Sequence, residues 1–176
     1  MTTICGFKRR GQVVLAWDTR TTEYGKICDL TYCKGEMFYL AGSFWSVASS
    51  GSTSLGRRVQ KILKENLGEK SMPEITDLLI DHLKEVVSWK HEPGDAKSQR
   101  CSSLFTDEKR LFEIDEDLFI HEVNTSFKGS GGELARGAYE ALKNTKITNM
   151  ALLKCIYAIV SSIDCYTGPE FVTNLT

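Results

Sequence analysis

Short apolar runs bounded by turn residues open the chain. Residues 2–9 and 12–18 each read as a strand, with Arg10-Gly11 between them as a tight hairpin turn. The second run, Val13-Val14-Leu15-Ala16-Trp17, is apolar nearly throughout, as expected of a strand covered on both faces, and it ends at Asp18. Thr19-Arg20-Thr21-Thr22 follows, then a Tyr24-Gly25 turn and a strand to Cys33. Lys34-Gly35-Glu36 reads as a second turn, leading into a strand Met37-Phe38-Tyr39-Leu40-Ala41 that stops at Gly42-Ser43. The first 42 residues are thus expected to form a β-meander.

The apolar period then lengthens. From Ser43 to Leu67, the residues Phe44, Ala48, Leu55, Val59, Ile62, Leu63 and Leu67 recur at helical spacing, and Gly68 supplies a stop. Ser49-Ser50-Gly51-Ser52 weakens the middle of this stretch, so a bend or a late helix start is expected there. Ser71 with Glu74 three residues later is a capping box, with Pro73 in the first turn of a second helix. Ile75, Leu78, Leu79, Leu83, Val86 and Val87 make its stripe. His82 lies beside that stripe and His91 in the loop 91–95, places where a lone histidine usually packs or meets solvent. Strands return at 99–106, 109–115 and 117–123, and a short one runs into Gly129-Ser130-Gly131-Gly132. Ser130 with Glu133 opens a third helix, Thr148 a fourth that closes at Asp164, and Phe171-Val172 a last strand. Strands, two helices, strands, two helices and a strand imply an α+β fold. Two sheets, each with one face on helices and the other on its partner sheet, make a four-layer α-β-β-α sandwich.

Composition narrows the class. The 176 residues suit one domain, 1–176, with 41% apolar and 26% charged residues and a net charge of −1. Nothing in that balance points to a nucleic-acid or acidic-membrane partner. No apolar run approaches the ~20 residues needed to span a bilayer. Lys8-Arg9-Arg10 follow the first apolar residues instead of preceding them, so no signal peptide is read and a cytosolic location is expected. The six cysteines form no CxxC pair and no Cys/His cluster; they read as reduced core or strand residues, with no metal and no cofactor expected.

The candidate chemistry lies at the head of the chain. If Met1 is removed, Thr2 carries a hydroxyl and a free α-amine on one residue. The amine can act as general base while Oγ attacks, one of the known ways to activate a weak nucleophile. An α-amine titrates near ~8, so part of it is unprotonated at neutral pH.

Thr2-Thr3-Ile4, the Gly11-to-Asp18 strand with Asp18-x-Arg20, Lys34, Ala41-Gly42-Ser43, Gly129-Ser130-Gly131-Gly132 and Asp164-x-x-Thr167-Gly168 occur in that order. Asp18 stands sixteen residues after Thr2, and Lys34 sixteen after Asp18. Each segment alone is a weak signal, but the ordered set, spanning Thr2 to about Phe171, resembles the proteasome β-subunit family of N-terminal-nucleophile hydrolases, and within it the small bacterial HslV type.

The resemblance implies that Thr2 is the nucleophile, Lys34 the cation beside it, and Asp18 the acid that holds Lys34 charged. It implies that Gly42 gives an oxyanion N–H, Ser130 a hydrogen bond near the threonine amine, and Asp164 the outer acid. Arg20, Thr167 and Gly168 complete the outer network, while Thr21 and Thr22 lie where an extended substrate would pair. Tyr39-Leu40-Ala41 and Phe44 are expected to shape an apolar specificity pocket. The activity implied is a threonine endopeptidase acting on unfolded polypeptide inside stacked rings of six or seven subunits. A separate ATP-driven unfoldase would supply the substrate. This chain has no phosphate-binding loop, since Gly129-Ser130-Gly131-Gly132 lacks a following Lys-Ser/Thr. Two rivals are an N-terminal-nucleophile amidase of small substrates and a catalytically silent subunit that assembles or regulates.

Overall fold

The structure, a computed structural model, describes residues 2–23, 26–28, 34–88, 101–115 and 117–175. Strands β1 (Thr3–Arg9) and β2 (Gln12–Asp18) form the expected hairpin. Its turn residues Arg10 and Gly11 have φ of 53° and 74°, as a two-residue turn matched to strand twist requires. Short strands β3 (Thr21–Glu23) and β4 (Lys26–Cys28) pair with each other. The remainder of the expected strand up to Cys33 lies outside the described residues, as does His91.

The next segment departs from the sequence reading twice. Lys34-Gly35-Glu36 is not a turn: β5 runs Gly35–Leu40, and the turn is Ala41-Gly42. Residues 43–51 are not helical but form β6 (Ser43–Gly51), so the first helix starts only at Thr53. Serine and alanine give this strand weak intrinsic preference, and its pairing with neighbours on both sides decides its conformation. Helix α1 (Thr53–Asn66) is capped by the Ser52 hydroxyl, and α2 (Met72–Ser88) by the expected Ser71–Glu74 box. Then come β7 (Cys101–Thr106), β8 (Leu111–Ile114), β9 (Ile120–Val123) and β10 (Thr125–Gly129). Helices α3 (Gly132–Leu142) and α4 (Asn149–Ile163) follow, with β11 (Phe171–Thr173) last.

One sheet has the order β10-β1-β2-β11 and the other β5-β6-β7-β8-β9, with the paired strands antiparallel. Alternation along the strands sorts the core into three layers. Val47, Phe105 and Phe112 face α1 and α2, where Leu55, Val59, Leu63, Ile75 and Leu79 meet them. Cys5, Phe7, Val14 and Ala16 face α3 and α4, against Ala135, Tyr139, Leu153 and Tyr157. Ile4, Leu15, Trp17, Ala48 and Leu104 fill the space between the sheets. This is the four-layer α-β-β-α sandwich expected. Gly35 permits the sheets to approach: a Cβ there would lie 2.6 Å from the Trp17 ring and from the Val47 carbonyl.

Candidate active site

Asp18 ends β2 with its side chain fully buried, where a charge must be paired and hydrogen-bonded to persist. Its Oδ1 accepts from the Thr3 N–H at 2.8 Å. Its Oδ2 accepts from Lys34 Nζ at 2.9 Å and from the backbone N–H groups of Arg20 and Gly168 at 3.0 and 3.2 Å. Four donors from four parts of the chain thus converge on one carboxylate.

Lys34 precedes β5. Its side chain is only 9% exposed. Burial pushes its pKa below the ordinary 10.5, and the Asp18 carboxylate works against that shift by favouring the ammonium. The Lys34 carbonyl is held too, by the Ser49 N–H of β6 at 2.8 Å and by Gln60 Nε2 of α1 at 3.1 Å.

Thr2 is 4% exposed and stands directly before Thr3. The β1–β10 ladder pairs Thr3 with Gly129, and one step further sets Ser130 across from Thr2. The approach is close: a Cβ on Gly129, whose φ is 89°, would fall 1.6 Å from the Thr2 carbonyl oxygen. Ser130 Oγ donates to Asp164 Oδ2 at 2.7 Å, and Thr167 Oγ1 donates to the same oxygen at 2.6 Å. Partial burial opposes the Asp164 charge. The bonds from Thr167, Ser130 and the Tyr166 N–H outweigh it and hold the carboxyl below its ordinary range. Arg20 reaches this same loop, donating through a terminal guanidinium nitrogen to the Cys165 carbonyl at 2.9 Å.

Thr2, Asp18, Arg20, Lys34, Ser130, Asp164, Thr167 and Gly168 therefore meet at one end of the sandwich. Thr21 and Thr22 follow Asp18 in β3, paired with Cys28 and Ile27. Gly42 and Phe44 do not join the cluster. Gly42 sits with Ala41 in the exposed β5–β6 turn, six strand residues from Lys34, a span of roughly 20 Å. It is glycine because φ there is 79°. Phe44 and Tyr39 line a cavity of about 470 Å³ with Gly11 and Val13, at the turn end of the β1–β2 hairpin. Thr3 and Asp18 occupy that hairpin's open end, so neither Gly42 as oxyanion donor nor Tyr39-Ala41 and Phe44 as specificity pocket fits the geometry.

The sequence reading missed a better-placed glycine. Ser49 turns its N–H toward Lys34, and along an extended strand the N–H two residues on points the same way. Gly51 is that residue, with φ of 97° and the N-terminus of α1 just after it. Its signal was visible in Ser49-Ser50-Gly51-Ser52 as a break in the supposed helix. Among the described residues no group of three or more His, Cys, Asp or Glu is placed to hold a metal ion. His82 is exposed and donates to the Leu78 carbonyl of its own helix.

No protein-family model matches the sequence, and a search of curated proteins finds no match. Solved structures do match over almost the whole chain. Eukaryotic HslV from Trypanosoma brucei superposes with a TM-score of 0.72 at 18% identity, over 98% of this chain and 97% of that one. BPH from Thiobacillus denitrificans gives 0.71 at 20% identity, over 97% and 95%, and has also been solved in complex with epoxomicin. Anbu from Yersinia bercovieri gives 0.74 at 16%, over 97% and 80%; Anbu from Pseudomonas aeruginosa forms a helical assembly. At such identities these are likenesses of fold: the chain has the proteasome β-type, N-terminal-nucleophile hydrolase fold.

Proposed function

We propose that this chain is the peptidase subunit of a self-assembling, proteasome-like protease, with Thr2 as nucleophile once Met1 has been removed. The observation that carries this is the buried Asp18 carboxylate, which ties the peptide next to Thr2, the Lys34 ammonium and the Gly168 loop together. A lone strand-ending aspartate would need none of these partners. The free amine of Thr2 takes the hydroxyl proton as Oγ bonds to the scissile carbonyl carbon. Lys34, kept charged by Asp18, favours the developing alkoxide and an unprotonated amine. The oxyanion faces the Gly51 N–H, in place of Gly42, at the positive end of α1. The amine then passes its proton to the leaving nitrogen, the C–N bond breaks, and water hydrolyses the threonine ester. Ser130 and Asp164 hold the amine side of Thr2. Substrate pairs as an extended strand with β3 at Thr21 and Thr22. Unfolded polypeptide, delivered by a separate ATPase, is the substrate class this assembly would admit.

The test is the intact mass of the purified chain before and after a peptide epoxyketone, with Thr2→Ala alongside. The expected result is loss of one methionine, one adduct mapping to Thr2, and no cleavage by the variant. A chain that keeps Met1 and takes no adduct, or a Thr2→Ala variant that still cleaves, would sink the proposal.

A further inference from the structure

Thr3 is fully buried and has every polar group engaged, each by a different part of the chain. Its N–H donates to Asp18 of β2 at 2.8 Å, and its carbonyl accepts from the Tyr157 hydroxyl of α4 at 3.2 Å. Its hydroxyl lies 2.5 Å from the hydroxyl of Thr167, in the loop after α4. The direction of this last bond follows from counting protons. Thr167 has one hydroxyl hydrogen and spends it on the Asp164 carboxylate, which can only accept. Thr3 must therefore be the donor, and the chain reads Thr3 to Thr167 to Asp164, with Ser130 donating to the same oxygen. Chains of this kind polarise one another and gain strength from a charged end. The space around the Thr3 hydroxyl is closed: a Cβ on Gly131 would stand 2.3 Å from it and 2.4 Å from Val160.

From this geometry we infer that Thr3 is a positioning residue, whose hydroxyl locks the Thr2 backbone onto the Thr167–Asp164–Ser130 chain. The inference rests on the proposal that Thr2 is a nucleophile. Thr2 has one peptide bond to Thr3 and a hydroxyl that must meet a substrate carbonyl at near-contact distance. A displacement of about 1 Å can cost on the order of 100-fold in rate. Asp18 and Tyr157 hold the Thr3 peptide from two sides, and the hydroxyl removes the remaining freedom of that peptide to slide or tilt. The sequence supplies a second threonine here because valine has the same shape but cannot donate.

The experiment compares Thr3→Val, Thr3→Ser and Tyr157→Phe with the parent chain, using an epoxyketone to titrate active sites and a peptide substrate to read turnover. Thr3→Val is expected to lower kcat per titrated site by about 10- to 100-fold with KM little changed. Thr3→Ser should recover most of that loss. A merely structural role would reduce the number of titratable sites and leave kcat per site intact, and that outcome overturns the inference. So would a Thr3→Ser variant as slow as Thr3→Val. Should Thr3→Val fail to fold, Tyr157→Phe removes the hydroxyl that holds the Thr3 carbonyl and also meets the Cys5 thiol, so Cys5→Ala is run beside it; a kcat per site in Tyr157→Phe no lower than in Cys5→Ala overturns the clamp. A parent chain that neither reacts nor cleaves overturns the proposed peptidase function itself, and the inference with it.

Discussion

Asp18 and Lys34 depend on each other in a way that sets how the site should respond to pH. Burial draws the Lys34 proton off, and Asp18 holds it on. In the proposed mechanism the charged lysine is the working form, so activity should fall on the alkaline side through a pKa below the ordinary 10.5. Removing the acid removes the force that opposes burial. Asp18→Asn is thus expected to move that alkaline limb to lower pH and to cost about 100-fold in kcat/KM at neutral pH. The pH–rate profiles of parent and variant read both effects; a limb that stays in place would show that Asp18 does not govern the lysine. Thr2, Asp18 and Lys34 stood out in the sequence as candidates because a fixed spacing and demanding chemistry coincide there, and the structure brings them together. Tyr157 and Gln60 carried no such signal, and Thr3 entered only through the Thr2-Thr3-Ile4 match with no role of its own, since a buried threonine, tyrosine or glutamine is chemically ordinary until its partners are known.

At the scale of elements, the β1–β2 hairpin and the caps at Ser71 and Thr148 were readable because their causes are local: two turn residues with positive φ, or a hydroxyl residue just before a helix. Ser130 with Glu133 has the same spacing but is no cap: α3 starts from Gly131 without a side-chain cap, and the Ser130 hydroxyl turns to Asp164. The segment 43–51 was not readable, because its helical spacing of Phe44 and Ala48 competes with the strand alternation of Trp45 and Val47. Only the cover of α1 on one face and of the second sheet on the other decides between them. Gly51 ends that strand, and with the strand unread the proposed oxyanion donor was placed at Gly42 on the Ala41-Gly42-Ser43 match. A further element-scale device was also invisible. The Arg9 guanidinium at the end of β1 donates to the carbonyls of Lys143, Thr145 and Ile147 and to the Asn149 side chain, gathering the α3–α4 loop around it. Arg9→Ala takes that donor from the Lys143 and Ile147 carbonyls and the Asn149 side chain, the Thr145 carbonyl keeping Arg10, and a loss of about 2–4 kcal/mol is expected. A urea midpoint that does not move would mean water replaces the guanidinium at no cost.

For the whole molecule, the proposed active end of the sandwich is where the first residues of β1, the last of β2, the approach to β5 and the loop after α4 come together. Each helix pair anchors one side of it: α1 through Gln60 on the Lys34 carbonyl, α4 through Tyr157 on the Thr3 carbonyl. The outer surface leaves Tyr39 72% and Ile163 65% exposed, with Met37, Phe119 and Ile159 also open. The proposed function requires self-association, which would cover such side chains. On the proposed function, sedimentation velocity at micromolar concentration should give a species many times the 19.7 kDa of one chain. A stable monomer would remove the compartment from the proposed function.

By itself the sequence determined the sandwich class and the order of strands and helices outside residues 43–51, and it brought Thr2, Asp18 and Lys34 forward as a candidate set, because apolar periodicity, capping and turn chemistry act over a few residues. The tertiary structure alone decided that residues 43–51 are a strand and that Gly42 and Phe44 belong to the far end of the molecule. It alone placed Thr3 under the control of Asp18, Thr167 and Tyr157. Those outcomes depend on which faces become buried and which donors meet which acceptors across more than a hundred residues of chain, and no local preference encodes such meetings.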